Sequence, residues 1–339
     1  MTFHLLAEGP RQLSTARYRS YNRFDQMAHA GMRPTIREGF KGARFWQDFP
    51  GKVAIVQRLP YQRNTAVVFG RIKRVAEAVG YDIDDMLFDP KALPKHCTVT
   101  HMECAQYSKA IAWSDFVTCS TPALRAEILA RWPDKPVLVL PNVLGRLICG
   151  AVTGANVAPR QAETVTLGYT SATHAHVEDF RLIEPVLDRL LERYHHLRLA
   201  VVGTLEIQSE FEQKWMARDR LTRWPFITFD ALPFLIHGVF DINLVPLMDI
   251  PFNRCKSLVK WLEAAIVGVP SVCSRIGEFK ALPEGTAYSA DTPDEWEYFL
   301  KRLIEDVDDR HHVGATARKH ALGHYTYRNS KPLEVLASL

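Results

Sequence analysis

Residues 241–274 read DINLVPLMDIPFNRCKSLVKWLEAAIVGVPSVCS, and this stretch decides the fold class. Its pattern predicts a buried strand over Ile242–Pro246, a loop, a helix near Ser257–Val267 and a second strand over Ser271–Ser274. Gly268 follows the last predicted helical residue, as is common where a helix ends. Strand, helix and strand in this order are the repeating unit of α/β proteins with parallel sheets.

The same predicted helix carries charged side chains on one face. Lys256, Lys260 and Glu263 stand at positions i, i+4 and i+7. Ser257 is expected to cap the helix, and two lysines at a helix N-terminus predict a site for a diphosphate. A carboxylate one turn further on can accept hydrogen bonds from both hydroxyls of a ribose. The alternative is an exposed helix with a Lys260–Glu263 ion pair, and the segment alone leaves both interpretations open.

Strand and helix patterns alternate over the rest of the chain. Further strands are predicted at Phe3–Ala7, Val53–Gln57, Tyr81–Asp84, Phe116–Ser120, Val137–Leu140, Val165–Tyr169, Arg198–Val202, Phe226–Phe229 and Thr286–Ser289. Further helices are predicted near Ser14–Ala30, Thr65–Val79, Glu103–Trp113, Pro122–Arg131, His176–Tyr194, Ser209–Arg218, Pro293–Asp306 and His311–His324. The predicted fold class is α/β, with two Rossmann-like domains whose parallel sheets face each other across a cleft.

A change in composition places the boundary between these domains. Residues 146–163 are rich in Gly, Ala and Pro and have no clear period, which predicts a linker. The predicted units are a domain over 1–145, the linker over 146–163, a domain over 164–310 and a helical C-terminal segment over 311–339.

Composition excludes several classes of protein. The 339 residues are 47% hydrophobic and 24% charged, which is an ordinary globular balance. The chain has no apolar run long enough to cross a bilayer, and Met1 to Pro10 lack the pattern of a signal peptide. The six cysteines are scattered without a C-x-x-C pair, so neither a disulfide framework nor a zinc ribbon is expected. We therefore expect an intracellular protein.

Positive charge is concentrated near the N-terminus. Residues 1–80 contain 14 Lys and Arg against 5 Asp and Glu, although the net charge of the chain is only +4. This excess predicts contact with phosphate-bearing molecules or with an anionic membrane surface. An ordinary solvated charged face explains it as well, and charge alone does not decide between the two.

Several of these residues, taken in order, resemble a known family. Asn253-Arg254, Lys256-Ser257, Lys260, Glu263, Gly268 and Pro270 resemble the nucleotide-sugar site of GT-B glycosyltransferases, especially family 4-like enzymes of the bacterial cell-surface glycan type. Similar matches occur at Ala16-Arg17-Tyr18-Arg19, Tyr81 to Asp85, Leu87 to Asp89, Ser114 to Val117, Ser120-Thr121, Leu140 to Asn142, Gly168 to Thr170, Thr173, His176 and Asp179-Phe180. The resemblance therefore extends over most of the chain.

The resemblance implies a role for each matching residue. Glu263 would bind the ribose of the donor, and Lys256 and Lys260 its diphosphate. The donor site would also contain Ser257, Arg254, Thr170, Ser171, Thr173 and His176. Lys260, His176 and Asp84 would be the catalytic residues, and Arg17, Arg19, Asp84 and Asp85 would face the acceptor. It further implies that the anomeric configuration is retained, that neither a metal nor a cofactor is required, and that segment 311–339 returns toward the first domain.

The chain departs from the family pattern at two places. Many family 4 enzymes carry two glutamates eight positions apart, and here Cys255 stands at the first position while Glu263 stands at the second. Ser171-Ala172 stand where related sequences often have glycines. These departures leave the identity of the donor open.

Other sites that the sequence suggests are less well supported. Asp82, Asp84 and Asp85 could bind a divalent cation, as the D-x-D motif of GT-A enzymes does. Because this cluster closes a strand in the first of two similar halves, we favour a structural or acceptor-facing role. A group of His and Cys residues matches no standard zinc spacing; its members are His96, Cys97, His101 and Cys104. The chain lacks G-x-G-x-x-G after its first strand and lacks a P-loop, which argues against a dehydrogenase and a P-loop enzyme.

The sequence therefore predicts a metal-independent hexosyl- or deoxyhexosyltransferase. It would transfer a sugar from a nucleoside-diphosphate sugar to a glycan or a lipid-linked glycan, and it would bind no nucleic acid. The alternatives are a GT-B-fold sugar-nucleotide epimerase or phosphorylase, and a non-catalytic nucleotide- or glycan-binding protein, which Cys255 favours. The expected location is the cytoplasm, with peripheral contact at the inner face of the membrane.

Overall fold

The computed structural model describes residues 2–39, 53–154 and 163–338. Within them, the strands form two six-stranded sheets, and all the strand pairs are parallel. The first sheet has the order β2-β1-β3-β4-β5-β6, with β1 Thr2–Ala7, β2 Arg33–Glu38, β3 Val53–Gln57, β4 Ala78–Ile83, β5 Phe116–Cys119 and β6 Val137–Val139. The second has the order β12-β11-β10-β7-β8-β9, with β7 Val165–Ser171, β8 Leu197–Gly203, β9 Leu221–Trp224, β10 Ile242–Val245, β11 Ser271–Ser274 and β12 Tyr288–Ala290. The predicted α/β class with two parallel sheets is confirmed.

The central strands are apolar because helices cover both faces of each sheet. Every residue of β3 is buried, and so is every residue of β7. The helices of the first half are α1 Ser14–Ala16, α2 Asn22–His29, α3 Arg63–Val75, α4 His101–Trp113, α5 Pro122–Arg131 and α6 Arg146–Gly154. Those of the second half are α7 Val177–Arg181, α8 Glu184–Arg193, α9 Ser209–Ala217, α10 Leu232–Val239, α11 Pro251–Arg254, α12 Val259–Ala265, α13 Pro293–Glu305 and α14 Val307–His324. None of the helices in the described residues is long and apolar enough to span a bilayer.

The helix predicted over Ser14–Ala30 is interrupted near its start. Arg17–Tyr21 form a wider, π-helical turn between α1 and α2. Such turns are rare and occur most often at functional sites. Here the turn contains two of the residues that the sequence assigned to the acceptor.

Several predicted elements were wrong or were missed. Phe226–Phe229 are not a strand; the strand is β9, which ends at Trp224 because Pro225 cannot donate to a ladder. β2 was missed because its sequence, RPTIRE, reads as polar. α6 begins inside the predicted linker and buries Ile148, Cys149 and Val152. Residues 155–162 of that linker lie outside the described residues.

The end of the described chain crosses from the second half back to the first. After α14, Tyr327 N–H donates to the Leu144 carbonyl at 2.8 Å. Residues Lys331–Ser338 form a 3₁₀ helix beside β6. From this helix, Leu333 and Leu336 enter a buried cluster with Phe3 and Leu5 of β1. The first-half core therefore contains residues from both ends of the described chain.

Candidate active site

A cavity of about 460 Å³ lies at the carboxyl ends of strands from both sheets. Asp84, just beyond β4, lines it from the first half. Thr170 at the end of β7 and Gly203 at the end of β8 line it from the second half. Ligands of open parallel sheets bind at this edge, so the cavity is the candidate active site.

The loop after β7 builds part of the second-half wall. Thr170 and Ser171 are buried, and the Ser171 hydroxyl donates to the Thr173 carbonyl at 2.7 Å. Gly203 lies opposite with a φ of 98°, where a Cβ atom would clash with the Ser171 carbonyl oxygen. Thr170, Ser171 and Thr173 all line the cavity, at the positions where the sequence places donor contacts.

His176 is held in one orientation by a buried carboxylate. Its Nδ1 lies 2.7 Å from Asp179 Oδ2, while Asp179 Oδ1 accepts hydrogen bonds from the Met248 N–H and the Asn253 amide at 2.8 Å each. Burial acts to raise the pKa of Asp179, but its hydrogen bonds, that from His176 above all, leave this pKa lowered. Burial, together with nearby Lys260, lowers the pKa of His176 to about 4.

This arrangement fixes the kind of hydrogen bond that His176 can form with a ligand. A neutral imidazole that donates from Nδ1 to ionised Asp179 has only a lone pair at Nε2. His176 lines the cavity, so Nε2 is suited to accept a hydrogen bond from a sugar hydroxyl. In this tautomer Nε2 cannot donate a hydrogen bond to a phosphate oxygen.

The two lysines lie on the same wall and are partly withdrawn from water. Lys260 Nζ lies 3.3 Å from the Tyr169 hydroxyl and 4.4 Å from the centre of the Tyr169 ring. Burial lowers the pKa of Lys260 to about 8, and the charge of Lys256 acts in the same direction. Lys256 pairs with Asp85 across the cleft, whereas Lys260 forms no ion pair with any described residue, and two cations close together favour a bound anion. This is the property that a diphosphate site requires.

Glu263 is almost fully buried, with 5% of its surface exposed, and it lines the same cavity. The Tyr18 hydroxyl, from the first half, donates to Glu263 Oε1 at 3.3 Å. Burial raises the pKa of Glu263 to about 7. Lys260 contacts Tyr169 and Glu263 contacts Tyr18, so the two do not form the ion pair of an exposed helix. The surface-helix alternative is therefore wrong.

Ser257 does not cap the following helix. α12 begins at Val259, and the residue at its N-cap position is Leu258, which forms no side-chain cap. The Ser257 hydroxyl instead accepts a hydrogen bond from the Asn142 amide at 2.9 Å, which connects the two halves. α12 has only seven residues, so the positive charge of this site comes from the lysine side chains.

The first half supplies an acidic wall. Asp84 and Asp85 line the cavity with Glu8, and Arg58 lies among them. Lys256 Nζ reaches across the cleft to Asp85 Oδ1 at 3.0 Å. Burial raises the pKa of Asp84 to about 6; it acts the same way on Asp85, but Lys256 and Arg58 outweigh it and leave the pKa of Asp85 lowered.

The third aspartate of the predicted cluster is structural. Asp82 is buried and accepts two hydrogen bonds from Arg19, at 2.9 and 2.7 Å, and one from Thr118 at 2.6 Å. Among the described residues, no group of three or more His, Cys, Asp or Glu side chains is placed to hold a metal ion.

Three arginines are not where the sequence placed them. Arg19 was assigned to the acceptor, but it is buried and donates to Asp82, Leu140 and Asn142. Arg17, assigned likewise, is buried in an ion pair with Asp230 of the second half. Arg254, assigned to the donor, is exposed and pairs with Asp249 at 2.6 Å. Buried guanidinium groups need partners, which is why Arg17 and Arg19 turn away from the cavity.

Cys255 lies outside the cavity. Its side chain is buried in a hydrophobic cluster of the first half together with Phe252, and its carbonyl accepts a hydrogen bond from Thr121 at 2.9 Å. An acidic side chain at this position would be buried against the apolar core of the first half. The position that family 4 enzymes use for a sugar contact therefore serves packing between the halves here.

Sequence reasoning missed an apolar wall beside Glu263. Side chains after β9 and at the start of α10 line this part of the cavity; they are Phe226, Ile227, Phe229 and Leu232. Tyr18 packs edge-on against Phe229, with the ring centres 4.8 Å apart. The match over Ala16 to Arg19 could have identified Tyr18, but only its arginines were used. The wall itself was hidden because its residues were read as a strand.

Three solved structures of known enzymes are similar to this chain. Sucrose-phosphate synthase from Thermosynechococcus elongatus has a TM-score of 0.65 and 13% identity, with 100% of this chain and 98% of that chain covered. The catalytic domain of starch synthase IV from Arabidopsis thaliana, bound to ADP and acarbose, has a TM-score of 0.62 and 10% identity, with 99% of this chain and 98% of that chain covered. TarM from S. aureus, in a complex with UDP, has a TM-score of 0.60 and 12% identity, with 85% of this chain and 55% of that chain covered.

These similarities establish the fold. The chain has the GT-B fold of these glycosyltransferases, and the resemblance seen in the sequence is confirmed at that level. The chain spans about half the length of TarM. No protein-family model and no curated protein matches the sequence. Membership of family 4 stays a prediction.

Proposed function

We propose that this protein is a glycosyltransferase that moves a sugar from a nucleoside-diphosphate sugar to a glycan or lipid-linked glycan acceptor. The observation that carries the proposal is the set of groups that the second half contributes to one cavity. They are an apolar surface at Phe226 and Phe229, the Glu263 carboxylate, the Lys256 and Lys260 ammonium groups, and His176. A nucleobase, a ribose, a diphosphate and a sugar need these kinds of groups.

Each group has a defined task in this proposal. The base packs on the apolar wall, and Glu263 accepts hydrogen bonds from the ribose hydroxyls in place of Tyr18. Lys256 and Lys260 stabilise the negative charge that develops on the diphosphate as its bond to the anomeric carbon breaks. Because the pKa of Lys260 is about 8 in a buried site, a nearby diphosphate favours its protonated form. His176 Nε2 accepts a hydrogen bond from the transferred sugar.

The proposed chemistry needs no metal ion, because the lysines supply the positive charge. The electron pair of the broken bond goes to the diphosphate oxygen, the acceptor hydroxyl forms the new bond to the anomeric carbon, and its proton leaves to a phosphate oxygen. We propose retention of configuration from the family 4 resemblance. Asp84, on the opposite wall, would orient the acceptor hydroxyl.

We propose a cytoplasmic enzyme that touches the membrane at its periphery. All six cysteines lie in the described residues and are free thiols, which fits a reducing compartment. Exposed cations on the outer face of α3, at Arg63 and Arg74, together with exposed Val67, support contact with an anionic surface.

The decisive experiment has two stages. Calorimetry with UDP, ADP, GDP and dTDP identifies the nucleotide, and the matching sugar nucleotide, labelled in the sugar, is then incubated with a glycan acceptor panel. A transferase leaves the label on an acceptor. An epimerase leaves it on the nucleotide, and a phosphorylase, in a parallel incubation with added inorganic phosphate, transfers it to phosphate as a sugar 1-phosphate. Binding of nucleotide without turnover of any donor would favour the non-catalytic alternative that Cys255 suggests.

A further inference from the structure

The first-half wall of the cavity contains several hydrogen-bond acceptors. Glu8, Asp84 and Asp85 contribute carboxylates, and Gln12 and Thr15 contribute uncharged polar groups. The opposite wall carries Lys256 and Lys260. The cavity therefore has a positive side, where the proposed donor binds, and a negative side, where an acceptor would enter.

Arg58 is the one arginine or lysine that the first half contributes to the cavity lining among the described residues. Its guanidinium lies 3.3 Å from Asp84, 3.7 Å from Asp85 and 3.7 Å from Glu8. The backbone of Arg58 has a φ of 48°, an unfavourable left-handed value for a residue with a side chain. Its N–H nevertheless donates to the Asp82 carbonyl at 3.0 Å, which keeps the side chain between the carboxylates. The Arg58 guanidinium is therefore held by the carboxylates of the first-half wall.

Apart from Arg58, no arginine or lysine in the described part of the N-terminal region lines this wall. Arg17 pairs with Asp230 and Arg19 with Asp82, and neither lines the cavity. Three carboxylates stand here against the Arg58 guanidinium and the Lys256 ammonium, which reaches across to Asp85, so this side of the cavity keeps an excess of one negative charge. A phosphate placed there would meet like charges in a partly buried site, where repulsion is poorly screened.

Asp84 is the carboxylate best placed to bind a ligand. Asp85 is occupied by Lys256 at 3.0 Å, and Glu8 accepts a hydrogen bond from the Thr15 hydroxyl at 2.9 Å. Among the described residues, the Asp84 carboxylate has only the longer contact to Arg58 at 3.3 Å, although it is less exposed than Asp85 or Glu8. A carboxylate can accept several hydrogen bonds, so Asp84 keeps acceptor capacity for hydroxyl groups.

We infer that the acceptor presents an uncharged, polyhydroxylated end to this wall, such as an unphosphorylated sugar or a polyol, and that a phosphate next to the reacting hydroxyl is excluded. The inference rests on the proposed transferase function and specifies its acceptor. It differs from what the N-terminal excess of positive charge suggested, which was contact with phosphate-bearing molecules or with an anionic membrane surface. A lipid-linked acceptor remains compatible when its phosphate lies outside the cavity.

The test compares neutral glycans with their phosphate esters. Saturation-transfer NMR is recorded on protein saturated with the nucleotide that calorimetry selects, or on the free protein when none binds. The probes are methyl glucoside, methyl mannoside, methyl galactoside and glycerol, each paired with its monophosphate. We expect a neutral probe to bind at least tenfold more tightly than its phosphate. Equal or tighter binding of the phosphates, or no binding by any neutral probe, overturns the inference.

Two variants test whether the first-half wall causes the discrimination between a neutral probe and its phosphate. Asp84→Asn should weaken the neutral probe about tenfold or more and reduce the discrimination against its phosphate, since hydrogen bonds to charged groups are lost. Asp134→Asn removes the same charge from an exposed first-half position away from the cavity. It should change neither the affinity for the neutral probe nor the discrimination against its phosphate. If Asp84→Asn fails to fold in a thermal scan, Glu8→Gln replaces it with the same expectation. Unchanged discrimination in the folded variant overturns the inference.

The two proposals fail separately. Retained nucleotide affinity with a preference for phosphorylated probes rejects the acceptor inference alone. If the wild-type protein binds none of the nucleotides in calorimetry, the transferase proposal is rejected, whatever the glycan probes show.

Discussion

Replacing Glu263 by glutamine should stabilise the protein at pH 8 while weakening its affinity for nucleotide. Burial raises the pKa of Glu263 from an ordinary 4.5 to about 7. A carboxyl whose pKa is raised on folding binds its proton more tightly in the folded state. The free energy of unfolding therefore falls as the pH rises from 4.5 to about 7, and it stays low above that.

The size of the effect follows from the shift. One pKa unit corresponds to about 1.4 kcal/mol, so the buried carboxylate costs about 3 kcal/mol above pH 7. Glutamine carries no charge but still has a polar amide to desolvate, so Glu263→Gln should recover about 1–3 kcal/mol at pH 8. It keeps one oxygen to accept the hydrogen bond from Tyr18. Nucleotide affinity should fall roughly 10- to 150-fold, the range for a hydrogen bond to a charged group.

Urea denaturation at pH 5 and pH 8 gives the stabilities, and calorimetry with UDP and ADP gives the affinities. Glu184→Gln is the matched control, because Glu184 is also buried in the second half with a raised pKa but does not line the cavity. It should gain stability at pH 8 and leave nucleotide affinity unchanged. A Glu263→Gln variant that loses stability at pH 8, or binds nucleotide as the wild type does, would refute the reasoning.

Four further outcomes are expected. Lys260→Ala should weaken a nucleoside diphosphate more than the free nucleoside in calorimetry and lower turnover by roughly 10²–10³-fold, and equal losses for both ligands would argue against a diphosphate contact. Tyr18→Phe frees the Glu263 carboxylate and should tighten nucleotide binding by about two- to tenfold, so weaker binding would contradict the competition between Tyr18 and ribose. Nucleotide affinity should be highest between about pH 7 and pH 8, where Glu263 is ionised and Lys260 protonated, and a calorimetric series from pH 5.5 to 9.5 that shows no maximum there rejects these pKa values. Cys255→Glu places an acid in the apolar core and should lower the free energy of unfolding by about 3 kcal/mol or more without raising turnover, whereas a more active variant would show that this position reaches the sugar.

The sequence predicted elements whose signal lies within one segment. β3 and β7 are continuous apolar runs, and their burial makes that pattern unambiguous. β2 was missed because it is an edge strand with only partly buried residues, so its sequence is free to be polar. The strand expected at Phe226–Phe229 was wrong because apolar residues serve a ligand cavity as well as they serve a core.

In the candidate site, too, the sequence predicted residues that lie close together in one segment and missed contacts between distant segments. Lys256, Lys260 and Glu263 fall within eight residues of sequence, and the structure brings them to one wall. Tyr18, which contacts Glu263 from the other half, has no local signal that could reveal its partner. Burial of Arg19 was equally hidden, because a charge count does not distinguish a guanidinium that binds ligands from one that holds the fold together.

The pairing of Leu333 and Leu336 with Phe3 and Leu5 has a consequence for biosynthesis. A ribosome makes β1 first and the covering 3₁₀ helix only after the whole of the second half. Domains usually fold as they emerge, but this one cannot close its core until residues 331–338 have left the exit tunnel. Part of one apolar face of the newly made first sheet, beside the side chains of α2, therefore stays open to water, and to chaperones, until the second half has been made.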